Sequence, residues 1–193
     1  MKKSLSNKMK FFTVGLLIVS ALMFAGCSIG GGSKNSEDEK ELAKATTFQN
    51  MKLQDIEGKD VDSSVFKENK ITIVNLWSTT CTPCIEELPT LDKISKEMKD
   101  KGVGVLGFLF EFDGQINDST LDEAKKILKN GNISFQQLVG SGKIMNDEVI
   151  RNVNATPTTF AVDSNGKIVA KATGAMDEER WTAFINSALK KVK

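Results

Sequence analysis

The sequence predicts an α/β sandwich, a central mixed β-sheet flanked by helices, with an N-terminal β-hairpin extension. Three observations predict it. Two apolar, largely β-branched runs, "ITIVNLW" and "GVGVLGFLF", have the composition of strands buried on both faces. Each is followed by a stretch whose apolar residues recur at helical spacing. Two short strands joined by "DSNG" then give an antiparallel hairpin, and an amphipathic helix closes the chain. The chain has 193 residues, 40% of them hydrophobic and 26% charged, which is enough material for one domain with a real core.

The first segment stands apart from that fold. Four lysines and no acid fall in the first ten residues, and an apolar run follows from Phe11 to Ala25. These fifteen residues fall short of the roughly 20 that a spanning helix needs, so residues 1–26 read as a secretory signal rather than a membrane-spanning anchor. The small residues Ala25 and Gly26 directly precede Cys27, an arrangement that resembles the bacterial lipobox, with Phe24 where an aliphatic residue is usual. The resemblance implies cleavage after Gly26 and a lipid on Cys27. Cleavage would remove Lys2, Lys3, Lys8 and Lys10 from the 26 basic residues and none of the 25 acidic ones, leaving 22 against 25. Neither balance points to a nucleic-acid partner. Residues 27–47, "CSIGGGSKNSEDEKELAKATT", read as a flexible tether spanning roughly 25 Å, the alternative being a short charged helix over residues 36–45.

The folded part is expected over residues 48–193. Its first elements are two short segments around an Asp/Gly turn at residues 55–58, an edge hairpin. The strand over residues 71–77 leads into a helix whose Leu88, Leu91, Ile94 and Met98 form one apolar stripe, with a kink expected at Pro89. A second buried strand covers residues 102–110. The next helix, residues 119–129, has a capping-box start of Thr120 with Glu123, an apolar face of Leu121, Ala124, Ile127 and Leu128, and Gly131 just past its end. A strand over residues 133–139, a short helix over residues 146–152, and the hairpin "TTFAV"/"KIVAKA" follow. The final helix, residues 177–190, places Trp181, Phe184, Ile185, Ala188 and Leu189 on one face.

The chain contains no histidine and no tyrosine, which excludes Ser-His-Asp and Cys-His catalysis, HExxH zinc sites and histidine proton shuttles. Attention falls on "WSTTCTPCIEELPTL". Cys81 and Cys84 lie where a buried strand gives way to a helix, so the sulfur of Cys81 faces unpaired N–H groups and the positive end of the helix dipole. Thiols in such settings have pKa values of roughly 3.5 to 7.5, which makes Cys81 the candidate nucleophile. Cys84, one helical turn on, is placed to close a disulfide with it, and Pro83 fits the first helical turn, where its missing N–H costs nothing. A zinc site would need four ligands, and two inert buried thiols are the remaining alternative.

"NLWSTTCTPCIEELPTL" together with "NATPTTFAVDSNGKIV" resembles the thioredoxin-like family, and within it the TlpA/ResA group of membrane-attached, extracytoplasmic thiol-disulfide oxidoreductases. The resemblance implies that Cys81 is the exposed attacking cysteine and Cys84 the buried resolving one, and that Thr156 and Pro157 form a cis-proline loop that pairs with substrate backbone. It implies that Glu87, three residues after Cys84, exchanges protons with that cysteine, Glu86 being the more exposed of the two. It implies no cofactor beyond the Cys81–Cys84 disulfide, client protein disulfides as partners, a membrane electron donor of the CcdA/DsbD type, a monomer, and reduction rather than oxidation. One departure stands out: family members usually carry Trp directly before the first cysteine, and this chain has Thr80. A peroxiredoxin-type peroxidase is an alternative, although Val74 occupies the place of the proline in that pattern. A non-catalytic lipoprotein, either a metal carrier or a binding module, is another; copper carriers of this fold usually add a histidine and space their cysteines by three.

Overall fold

The computed structural model describes residues 41, 42 and 44–192. The signal segment, Cys27 and most of the tether lie outside them. The described residues form a seven-stranded mixed sheet from β1 (Lys52–Asp55), β2 (Asp60–Asp62), β3 (Ile71–Trp77), β4 (Val103–Leu109), β5 (Gln137–Val139), β6 (Thr158–Asp163) and β7 (Ile168–Thr173). Their order is β2-β1-β5-β4-β3-β6-β7. The central strands β3, β4 and β5 are parallel, and every other pairing is antiparallel. The helices are α1 (Thr82–Glu97), α2 (Asp118–Asn130), the single turn α3 (Glu148–Arg151) and α4 (Glu178–Lys191).

Alternation along β3 explains why its run is apolar on both faces, with Thr72 and Asn75 as its polar members. Ile71, Ile73 and Trp77 face α1, α2 and α4 and pack with Leu88, Leu91, Ala124, Trp181 and Ile185. Val74 and Leu76 face the other layer, where Phe48, Phe66, Ile150 and Phe160 close the core. The two hairpins share one turn chemistry, Asp-x-x-Gly-Lys. In each turn the aspartate Oδ1 accepts two backbone N–H groups, from Glu57 and Lys59 for Asp55 and from Asn165 and Lys167 for Asp163. The glycine takes a left-handed conformation, with φ of 78° at both Gly58 and Gly166.

Several boundaries differ from the sequence expectation. Helix α2 is capped by Asn117, whose Oδ1 accepts the Thr120 N–H at 3.0 Å, so Thr120 lies inside the helix. Glu123 makes no capping bond and pairs with Lys126. At the other end Gly131 stays right-handed, and Asn132 takes the positive φ of 53°. Only residues 137–139 of the expected strand join the sheet, because Ile133 and Phe135 turn into the helical layer instead. The expected short helix over residues 146–152 is divided into a 3-10 turn (Gly142–Asn146) and α3. Packing also begins before Phe48: Leu42 and Ala45 lie against the second core layer, and the buried Thr47 donates its hydroxyl to Asp147 Oδ1 at 2.7 Å. Helix α1 runs unbroken through Pro89.

Candidate active site

The site is built where β3 ends. Strand β3 pairs along its whole length with β4 on one side and from Ile71 to Leu76 with β6 on the other, so its C-terminal end is held by both neighbours up to the last residue, Trp77, which β4 alone pairs. Four residues beyond Trp77, Cys81 occupies the N-cap of α1 with extended backbone (φ −91°, ψ 94°), and its Sγ accepts the N–H of Cys84 at 3.3 Å. Its own N–H donates to the Ser78 carbonyl at 3.2 Å, which tightens the connecting turn. Cys81 and Cys84 are joined in a disulfide with their Cα atoms 5.3 Å apart. Cys84 is wholly buried while Cys81 is partly exposed. Pro83 falls in the first turn of the helix, where its missing N–H removes no bond. An incoming disulfide therefore meets Cys81 first, and Cys84 from beneath.

Glu87 is 4% exposed, on the turn of α1 after Cys84, whereas Glu86 faces solvent. Two donors hold the Glu87 carboxylate: Asn75 Nδ2 reaches Oε1 at 2.9 Å, and the Met176 N–H reaches Oε2 at 3.1 Å. Burial raises its pKa, and the bonds from Met176 and Asn75 offset only part of that rise. Asn75 also donates to Thr159 Oγ1 at 3.1 Å, so one amide ties β3, β6 and α1 together. The lone amide in an otherwise apolar strand was visible in the sequence. Its partner was not, and neither was Met176, which lies 89 residues from Glu87.

The remaining supports were also not foreseen. Trp77 donates Nε1–H to Gln137 Oε1 at 2.9 Å. Gly107 leaves room for that amide, since a Cβ there would stand 1.8 Å from Gln137 Oε1. In the turn before Cys81, Thr79 donates both its N–H, at 3.2 Å, and its hydroxyl, at 3.1 Å, to Glu111 Oε1. On the other side of β3, Thr158 pairs with Leu76, which brings Thr156 and Pro157 to the same sheet edge as Trp77 and the cysteines. The Thr156–Pro157 peptide bond is cis, and the Pro157 carbonyl accepts the Gly174 N–H at 2.8 Å.

This arrangement can do one kind of chemistry well: a half-exposed sulfur at a helix N-terminus exchanging with disulfides, backed by a buried sulfur and a buried carboxyl group. Comparison with known proteins agrees. Thiol-disulfide oxidoreductase ResA of Bacillus cereus (strain ATCC 10987 / NRS 248) is 28% identical over 181 residues, covering 93% of this chain and 95% of that protein. A thiol:disulfide interchange protein of the thioredoxin family from Chlorobium tepidum TLS superposes with a TM-score of 0.60 at 21% identity, covering 72% of this chain and 92% of that one. StoA from Bacillus subtilis superposes with a TM-score of 0.54 at 21% identity over 70% of this chain and 95% of its own. The Redoxin family profile matches residues 43–188, from the first packed residues to the last helix. With the fold of the thioredoxin-like proteins and a cysteine pair at the N-terminus of α1, the chain belongs to the Redoxin family and is a thiol-disulfide oxidoreductase.

Proposed function

We propose that the protein reduces disulfides of client proteins on the extracytoplasmic face of the cell membrane, held there by a lipid on Cys27. The observation that carries the catalytic part is the difference in exposure within the disulfide, with Cys81 open to solvent and Cys84 buried. The Cys81 thiolate attacks one sulfur of a client disulfide; the Cys81–client S–S bond forms, the client bond breaks, and the released client thiolate takes a proton. Cys84, deprotonated, then attacks Cys81 Sγ, closing the Cys81–Cys84 disulfide and releasing the second client thiol. Two electrons pass to the client, and a membrane donor of the CcdA/DsbD type restores the dithiol. Thr156 and the Pro157 backbone offer the edge against which the client chain pairs, and Glu87 exchanges the proton of Cys84.

The reducing direction is supported by burial. The wholly enclosed Cys84 sulfur is penalised as a thiolate, which destabilises the dithiol state and so favours giving the electrons away. The test is reduction of a protein disulfide, such as that of insulin, by the reduced full chain. Cys81→Ser abolishes it, whereas Cys84→Ser stops at a mixed disulfide between Cys81 and the client. Undiminished reduction by Cys81→Ser, or a client mixed disulfide trapped by Cys81→Ser and not by Cys84→Ser, would refute the assigned roles.

A further inference from the structure

The exposed edge around Cys81 includes one feature that the exchange chemistry does not use. Among the described residues, Phe112 is the one large apolar side chain exposed to solvent, at 58%. A single exposed aromatic is ordinary; its placement is not. Residues 110–114 form the turn that leaves β4, and this turn is fastened to the cysteine loop at two points. The Phe110 N–H donates to the Trp77 carbonyl at 2.8 Å, and Glu111 Oε1 holds the Thr79 N–H and hydroxyl. The Gly114 N–H closes the turn onto the Glu111 carbonyl at 2.9 Å. The Phe112 ring stands edge-on against the buried Phe110 ring, with centroids 5.1 Å apart, so it is backed rather than free. Thr80, beside Cys81, is exposed and offers only a hydroxyl, 3.4 Å from Ser78 Oγ.

We propose that Phe112 is a specificity-determining contact: its ring receives an apolar side chain adjacent to the reacting cysteine of an extended client polypeptide. The inference rests on the proposed function, because it takes the client to be a protein. A polypeptide fits better than a lipid surface, since Glu111 and Asp113 flank the ring with carboxylates that anionic headgroups would repel. The turn after β4 supplies an apolar contact on one side of β3, and the Thr156–Pro157 edge lies on the other.

The test uses the full chain carrying Cys84→Ser and two peptides that differ only in having Leu or Ser after a single cysteine, each activated as a 2-pyridyl disulfide. Attack by Cys81 on the peptide sulfur releases pyridine-2-thione, whose absorbance gives the rate. Each rate is normalised to reaction of the same protein with 2,2′-dipyridyl disulfide. The Leu peptide is expected to react roughly tenfold faster than the Ser peptide, a difference of about 1.4 kcal/mol. Adding Phe112→Ser should bring the ratio below about twofold, while Phe112→Leu, still apolar, keeps most of it. Equal rates with Phe112 present, or a preference that survives Phe112→Ser, would overturn the inference and leave the proposed function standing. Reaction with dipyridyl disulfide but with neither peptide would overturn both. If Phe112→Ser instead lowers binding to phosphatidylglycerol vesicles and leaves the ratio intact, Phe112 is a membrane contact and the inference fails.

Discussion

Glu87 shows how a single position links burial to chemistry. Its carboxyl group stays protonated to higher pH than an ordinary glutamate because burial outweighs the bonds from Met176 and Asn75. A carboxyl group with a raised folded-state pKa contributes stability at low pH, and that contribution is lost as pH rises through the folded value. The protein therefore carries a stability cost at neutral pH in a group placed one turn from its resolving cysteine. Resolution of a mixed disulfide by Cys84 is predicted to show a pH inflection above the ordinary carboxylate range. In Glu87→Gln, stopped-flow resolution should slow about 100-fold and lose that inflection, in line with the loss of a general acid-base group. A slowed reaction with an unchanged pH profile would make Glu87 a structural residue only. The family resemblance, together with the three-residue spacing from Cys84, made Glu87 legible in the sequence and separated it from the exposed Glu86. Its partners were hidden because they come from β3 and from the segment before α4, joined only by folding.

At the scale of elements, legibility followed the strength of local patterns. Strands β3 and β4 were readable because both faces are buried, so their positions are apolar or small apart from Asn75. The two Asp-x-x-Gly-Lys turns were readable because Asp and Gly each do something there that few other residues can do. The start of α2 was misplaced because Thr120 and Glu123 match a capping box, while Asn117, three residues earlier, makes the actual cap. Asn117→Ala should lower stability by about 1 kcal/mol in urea unfolding, and Glu123→Ala should have little effect. Gly107 was read only as part of a buried strand, yet it admits the Gln137 side chain that bonds Trp77. Gly107→Ala is predicted to destabilise the protein by about 1–3 kcal/mol, because a Cβ would displace Gln137 and leave the buried Trp77 N–H without its partner. A change in Trp77 fluorescence should accompany the loss.

For the molecule as a whole, two aspartates join distant parts of the sequence, and both depend on pH in the direction opposite to Glu87. Burial alone would raise the Asp92 pKa, but it is outweighed by Lys96 and by the Ser134 N–H and hydroxyl, so the value is lowered. Asp55 is likewise lowered, burial being outweighed by Gln136 and by the N–H groups of Lys59 and Glu57. Their stabilisation is present above the ordinary carboxylate range and is lost as pH falls through the lowered folded-state values. Urea unfolding followed from about pH 6 down to about pH 3 should therefore show a stability loss that is smaller in Asp92→Asn than in the parent. If the two proteins lose stability in parallel, Asp92 is not the source. The N-terminal boundary was placed at residue 48 because polar, charged sequence reads as linker. Leu42, Ala45 and Thr47 become part of the core only when α3 and Asp147 are brought beneath them.

The central claim is that the cysteine pair gives electrons to clients, and the reduction potential of the Cys81–Cys84 couple tests it most directly. The full chain would be equilibrated with glutathione and dithiothreitol buffers and its free thiols counted. A potential near or below about −270 mV is the predicted result, the range of proteins that reduce disulfides. A potential near about −120 mV, that of a strong oxidant, would mean that the protein introduces disulfides and would contradict the proposed function.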